Sequence, residues 1–202
     1  MAFIGMRHVV ACELDSHTAG SEPTYETAAG FDVGMAITGN LTINRNSNPL
    51  RADDTIAEDD NGITSMSLEL GVDDVTDANM AKLGLLKETS VVDTATSTTV
   101  YTYYDTSAAG KYVGVGYSRT RRKNGATTYQ GIWIYKVLFS LNSENSQTKG
   151  ENIEWQTPTL NGNCLGLDID SSGDVTYRKI RNFATEAACD AWLDAQANIT
   201  RT

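Results

Sequence analysis

Histidine and cysteine are scarce in this 202-residue chain, and their scarcity excludes several kinds of chemistry. Two histidines, His8 and His17, leave little imidazole for a metal centre or a proton relay. The three cysteines, Cys12, Cys164 and Cys189, are odd in number and widely spaced with no C-x-x-C, so neither a disulfide framework nor a zinc knuckle is expected. Such thiols fit a reducing cytoplasm. Positive charge is also short: 16 Lys and Arg stand against 26 Asp and Glu, a net charge of -10. That balance works against the sequence-independent attraction to phosphate that drives nucleic-acid binding. No apolar run approaches the ~18 to 20 residues of a membrane helix, and the opening MAFIGMRHVVACELD has no basic segment ahead of a long apolar one. Neither a signal peptide nor a membrane span is expected. No linker-like stretch is present either, which favours one core.

What the chain does have is alternation with a period of two. Met35, Ile37, Leu41 and Ile43 alternate with Ala36, Thr38, Asn40 and Thr42, and Met66, Leu68, Leu70 and Val72 with Ser65, Ser67, Glu69 and Gly71. Trp133, Tyr135, Val137, Phe139 and Leu141 share one face of a strand whose other face begins with Ile132 and Ile134, a pattern expected mid-sheet or at an interface. Weaker strands are predicted over residues 7–14, 100–104, 112–118, 152–157, 160–169 and 175–180. Turn chemistry falls at Asn124-Gly125, Asn161-Gly162 and Ser172-Gly173-Asp174. Helices are predicted over 74–86 and 185–197, the second opening on a Thr cap. The fold class that follows is mainly β: an antiparallel β-sandwich or barrel with one flanking α-helix, a long inter-strand loop and a short C-terminal helix.

That loop spans residues 44–64, roughly twenty residues with no period of its own, where connections beyond about 12 to 15 are usually functional or disordered. Inside it, RADDTIAEDDNG carries Asp53, Asp54, Glu58, Asp59 and Asp60. A second charged cluster, of opposite sign, surrounds the Asn124-Gly125 turn: Arg119, Arg121, Arg122 and Lys123. Each is ordinarily a solvated surface. In one acid-rich chain, however, an opposite-charge contact between copies is a serious rival.

Catalytic and metal chemistry find no foothold in the spacing. The acidic stretch lacks the alternating ligands, central glycine and final glutamate of a calcium loop; DIDSSGDVTYRK from Asp168 comes nearer but ends on Lys179, and reads as a hairpin turn. Paired carboxylates need a pocket to separate their pKa values, which an open loop does not supply. G-x-S-x-G is absent, and the contiguous Asp15, Ser16 and His17 cannot face one another as a triad. Gly110-Lys111 and Gly114-Val115-Gly116 lack the remainder of a phosphate loop or dinucleotide fingerprint. No catalytic residue, metal or cofactor is expected.

The order of segments resembles a known family. IGMRHVVACEL, then Tyr25, then GNLTINRNSNPLRADDTIAEDDNG, TSMSLELGVDDVTDANMAKLGLL, KYVGVGYSRTR, IWIYKVLFS and SENSQTKGENIEWQTPTLNGN resemble, in that order, the major tail proteins of long-tailed bacteriophages, over roughly residues 3 to 170. The resemblance implies a β-sandwich or barrel with a flanking helix, six subunits closing into a ring, and rings stacking into a hollow tube. DNA passes through without specific binding, and nothing is catalysed. On this reading residues 1–182 are the tube domain, 44–64 the arm that reaches a neighbour, and 183–202 a C-terminal helical tail with no counterpart role. The partners implied are copies of the chain and other phage tail proteins, and the location is the virion, assembled in the host cytoplasm. Asp53, Asp54, Glu58, Asp59 and Asp60 become inter-subunit arm residues, with Arg119, Arg121, Arg122 and Lys123 as candidate partners. The alternative is a receptor- or carbohydrate-binding module of a tail tip, with Tyr101, Tyr103, Tyr104 and Trp155 stacking on sugars.

Overall fold

The computed structural model describes residues 2–52, 55–60, 62–92, 97–103, 110–140 and 157–201. In chain order the strands are β1 (Ala2–Ser16), β2 (Thr24–Tyr25), β3 (Phe31–Gly34), β4 (Ala36–Arg45), β5 (Asn48–Ala52), β6 (Thr55–Asp60) and β7 (Ile63–Val72). Helix α1 (Asp77–Lys82) follows, then β8 (Leu86–Val92), β9 (Ser97–Tyr103), β10 (Tyr112–Lys123), β11 (Ala126–Ser140), β12 (Thr159–Cys164), β13 (Arg178–Phe183) and α2 (Glu186–Gln196). The expected class is found: a mainly antiparallel β, sandwich-like fold with a flanking helix and a short C-terminal one. Among the described residues no helix is long and apolar enough to cross a membrane.

One sheet runs β2-β1-β10-β11-β12-β7-β4, with β3 beside β1 and β13 beside β11. Strand β11 is its spine. Its one edge pairs with β10, and its other is shared by β13 along residues 129–134 and β12 along 137–140. An apolar pattern on both faces is therefore required, and each face has its own core. Val9, Ala11, Leu68, Leu70, Val115, Ile132, Ile134, Val137 and Leu160 fill one. Val10, Cys12, Trp133, Tyr135, Cys189 and Leu193 fill the other, under α2.

A simple two-residue alternation does not survive along these strands, because bulges shift it. Val113 pairs with Val137 and Val115 with Ile134, so Tyr135 and Lys136 together oppose Gly114. The extra residue puts Val137 and Phe139 on the face of Ile134, opposite Trp133 and Tyr135 with which the alternation grouped them. A shift between Ala36 and Thr38 does the same to β4. Leu41 and Ile43 pack on the core, whereas Met35 and Ile37 are left 74% and 53% exposed.

The first helix is shorter than predicted. Thr76 caps it, its Oγ1 accepting from the Asn79 amide at 3.3 Å, and Asp77 suits the positive end of the peptide dipoles. It stops because Gly84 adopts φ +76, letting the Leu85 amide turn back to the Met80 carbonyl at 2.9 Å. Leu85 and Leu86 thus leave the helix, and Leu86 opens β8. Asn161-Gly162, expected as a turn, lies within β12, paired to β11 on one side and β7 on the other. Glycine is needed there because Val137 and Phe139 occupy the space a side chain would take. Only Thr157 of the strand predicted over 152–157 is among the described residues.

Helix α2 seals the outer face. A Cβ on Gly131 would sit 2.7 Å from the Trp192 ring, and one on Gly116 would sit 2.8 Å from Leu193. Two glycines in neighbouring strands therefore let the helix rest directly on the sheet. Its polar side is tied down by Arg7, which pairs with Glu186 and Asp190.

Candidate functional site

The connection over residues 44–64 is not a structureless loop. Past the last β4–β7 pair, Arg45 with Ile63, the Asn46 amide donates to the Gly62 carbonyl at 2.9 Å, and β5 pairs antiparallel with β6. The connection is a hairpin continuing the β4–β7 ribbon. Its backbone groups pair strand to strand within the ribbon, which needs no hydrophobic period in the sequence. Glu58, Asp59 and Asp60 lie on β6 opposite Leu50, Pro49 and Asn48. Asp53 and Asp54 lie outside the described residues.

The basic cluster occupies the end of the β10–β11 hairpin. Asn124 and Gly125 form its two-residue turn with φ of 50° and 80°, the left-handed pair that matches the twist of the flanking strands. Alternation from the inward-facing Tyr117 puts Arg119, Arg121 and Lys123 on the inner face of the sheet and Arg122 on the outer. Lys123 and Arg122 are exposed, whereas Arg119 is half-buried. Its Nε and Nη2 both donate to Gln130 Oε1, at 2.9 and 2.7 Å, and its guanidinium lies 3.7 Å from the centre of the Phe3 ring. Gln130 in turn donates to Asn182 Oδ1 at 2.9 Å.

Arg178 joins this group from β13, where it pairs with Ile134. Burial pulls the Arg119 guanidinium below its ordinary pKa; Tyr117 acts against that shift, and the charges of Arg178 and Arg121 add to it. The sequence reading missed Arg178, which is 59 positions from Arg119; the signal was the basic run RKIR in a predicted strand, but its place beside β11 was not legible. Together Phe3, Leu41, Ile43, Tyr117, Arg119 and Arg178 line a groove of about 410 Å³ between β1 and β4.

Both histidines are hydrogen-bonded within the fold. His8 sits at φ 54° in a bulge of β1, between the Arg7–Ser118 and Val10–Gly116 pairs. That bulge aims its Nε2 at Asp194 Oδ1, 2.9 Å away. Asp194 is also gripped by Arg201, whose Nη1 and Nη2 bind Asp32 at 3.0 and 2.7 Å. The arrangement clasps the end of the chain to β1 and β3. His17 Nε2 donates to the Asp168 carbonyl at 3.0 Å, while Ser16 Oγ bonds to Thr24 Oγ1 at 2.8 Å and to Asp15 Oδ2 at 3.5 Å, so the His17 ring is bonded to neither Ser16 nor Asp15. In the Asp168 turn, the Asp168 and Asp170 carboxylates accept from the amides of Ser171 and Ser172 at 2.9 and 3.1 Å, and Lys179 binds Glu22. Of the aromatics proposed for sugar stacking, Tyr101 and Tyr103 fall on β9, while Tyr104 and Trp155 lie outside the described residues.

A scan of protein-family models finds none that matches this chain, and a search of the curated proteins finds no match.

The sheet has edges that pair with nothing among the described residues. β4 ends the sheet with β7 on its inner side alone, and it carries the exposed Ile37 with Met35 just before it. At the start of β1, Phe3 and Ile4 are about half exposed and pair only toward β10. Ile180 on β13 is exposed as well.

Proposed function

We propose that this chain is a structural subunit that assembles with copies of itself, in the manner of the major tail proteins its segment order resembles. Six copies close into a ring, rings stack into a tube, and DNA passes through the lumen of a virion tail. The observation that carries the reading is the β4 edge, which among the described residues pairs with no strand on its outer side and bears the exposed Ile37, with the exposed Met35 just before it. An apolar open edge is a hazard for a monomer, and pairing it with a neighbour removes that hazard. A contact between two different patches, repeated with the right rotation, closes a ring, and a second one builds a filament. The net charge of -10 suits a lumen that lets a polyanion slide. No catalysis is assigned.

Sedimentation velocity over a concentration series tests the proposal. A six-copy species, or larger particles built from it, is expected. A single one-copy boundary at every concentration would overturn it.

A further inference from the structure

We infer that the groove between β1 and β4, walled by Phe3, Leu41, Ile43 and Tyr117 and crowned by Arg119 and Arg178, is the seat for the acidic β5–β6 hairpin of a second copy. This rests on the reading that the chain self-assembles, and adds to it which surface receives the arm.

Four cations outside the groove are held by carboxylates. Arg7 pairs with Glu186 and Asp190, Lys111 with Glu13, Lys179 with Glu22, and Arg201 with Asp32 and Asp194. Carboxylates are plentiful, and these side chains find them. Others stack on rings, Lys82 on Phe31, Lys136 on Tyr112 and Arg181 on Phe183, whereas the groove gathers two arginines without a carboxylate among the described residues. The half-buried Arg119 is given a neutral amide oxygen, and Arg178 has no ion pair among the described residues. Arg119 also feels the like charges of Arg178 and Arg121. A gathered set of guanidiniums, partly removed from water, is an arrangement whose cost an incoming carboxylate offsets. The stacking of Arg119 on Phe3 holds its planar fork ready for such a ligand.

The walls restrict what the ligand is. A free anion has no use for a groove of about 410 Å³ lined by Phe3, Leu41, Ile43 and Tyr117, whereas a peptide strand with both aliphatic and acidic residues uses all of it. Residues 55–60, TIAEDD, have that composition: Ile56 stands two positions before Glu58, and Asp59 and Asp60 follow. This is the densest acidic segment in a chain of opposite overall sign to the groove. Because seat and segment are different surfaces of one chain, the contact is heterologous and propagates from copy to copy.

The test uses full-length proteins and sedimentation velocity, with thermal melting to establish that each variant folds. Arg178→Glu, and separately Glu58→Lys/Asp59→Lys/Asp60→Lys, are expected to weaken self-association by about tenfold or more. One chain carrying these four changes together with Arg119→Glu restores it, since both groove cations and the segment have then exchanged sign. Arg178→Gln, which removes the charge without reversing it, gives the same direction if Arg178→Glu fails to fold. If the Arg178 variants assemble like the unaltered chain, the seat is wrong while the assembly reading stands. If they are impaired and the full exchange, Arg119→Glu included, fails to restore association, the acidic hairpin is not the occupant. An unaltered chain that never associates overturns both the seat and the assembly reading.

Discussion

The indole Nε1 of Trp133 donates to the phenolic oxygen of Tyr25 at 3.0 Å, and the two rings meet edge to face at 5.2 Å with an interplanar angle of 86°. Tyr25 in turn donates its hydroxyl to the Tyr135 carbonyl at 2.8 Å. A two-residue strand is thereby pinned to the spine of the sheet, over Gly114, where any side chain would collide with both rings. The Tyr25 hydroxyl has its pKa raised, chiefly by burial.

Replacing Tyr25 with Phe keeps the ring and removes the acceptor. The fully buried Trp133 indole then has no partner, and a loss of about 1 to 3 kcal/mol is expected in urea denaturation. The urea dependence of the unfolding free energy should stay unchanged, because no surface is newly exposed in the folded state.

Gly131→Ala and Gly125→Ala separate two reasons for glycine. At Gly131 the added methyl meets the Trp192 ring, so α2 must lift, with a cost of about 1 to 3 kcal/mol and altered tryptophan fluorescence. At Gly125 the space is open but φ is +80°, so a loss of about 1 kcal/mol with unchanged fluorescence is expected.

The terminal clasp gives a pH dependence of known sign. Hydrogen bonds from Arg201 hold the Asp32 carboxyl below the ordinary carboxylate range. A carboxyl whose folded pKa is depressed adds stability at pH values above its unfolded pKa of about 4, and that stability disappears as pH falls through the lower folded value. Arg201→Gln should lower the melting temperature at pH 7 and shrink the difference between pH 7 and pH 3. Both Asp32 and Arg201 are about half exposed, so solvent screening keeps the effect small.

Ile37→Lys addresses the open edge. The side chain is already exposed, so the melting temperature should barely move, with a change within about 0.5 kcal/mol. Self-association should weaken, because a charge on an edge strand opposes pairing with another chain. Sedimentation and melting on the same preparation check both halves.

Local patterns in the sequence were good guides wherever local physics decides. Met66, Leu68, Leu70 and Val72 do form one buried face, Asn124-Gly125 does turn a hairpin, and the two-faced apolar strand is the most heavily paired in the sheet. Failures came where distant pairing decides. The bulges at Ile37 and at Tyr135-Lys136 shift parity with no glycine or proline at the bulged positions themselves to announce them. Gly84 did announce the end of α1, but the apolar Leu85 and Leu86 beyond it fitted the helical pattern equally well. The 44–64 connection shows no period in the sequence, and what orders it is the pairing of its two strands with each other. At the candidate seat, Arg119 was legible as part of a basic run, whereas Phe3, Ile43 and Arg178 come from three other strands and meet it only through the fold.

Electron microscopy of the concentrated, full-length protein tests self-assembly into a tube most directly. The account predicts hexameric rings or hollow tubes of uniform diameter. A field of dispersed single molecules under every condition of salt, pH and concentration would contradict it.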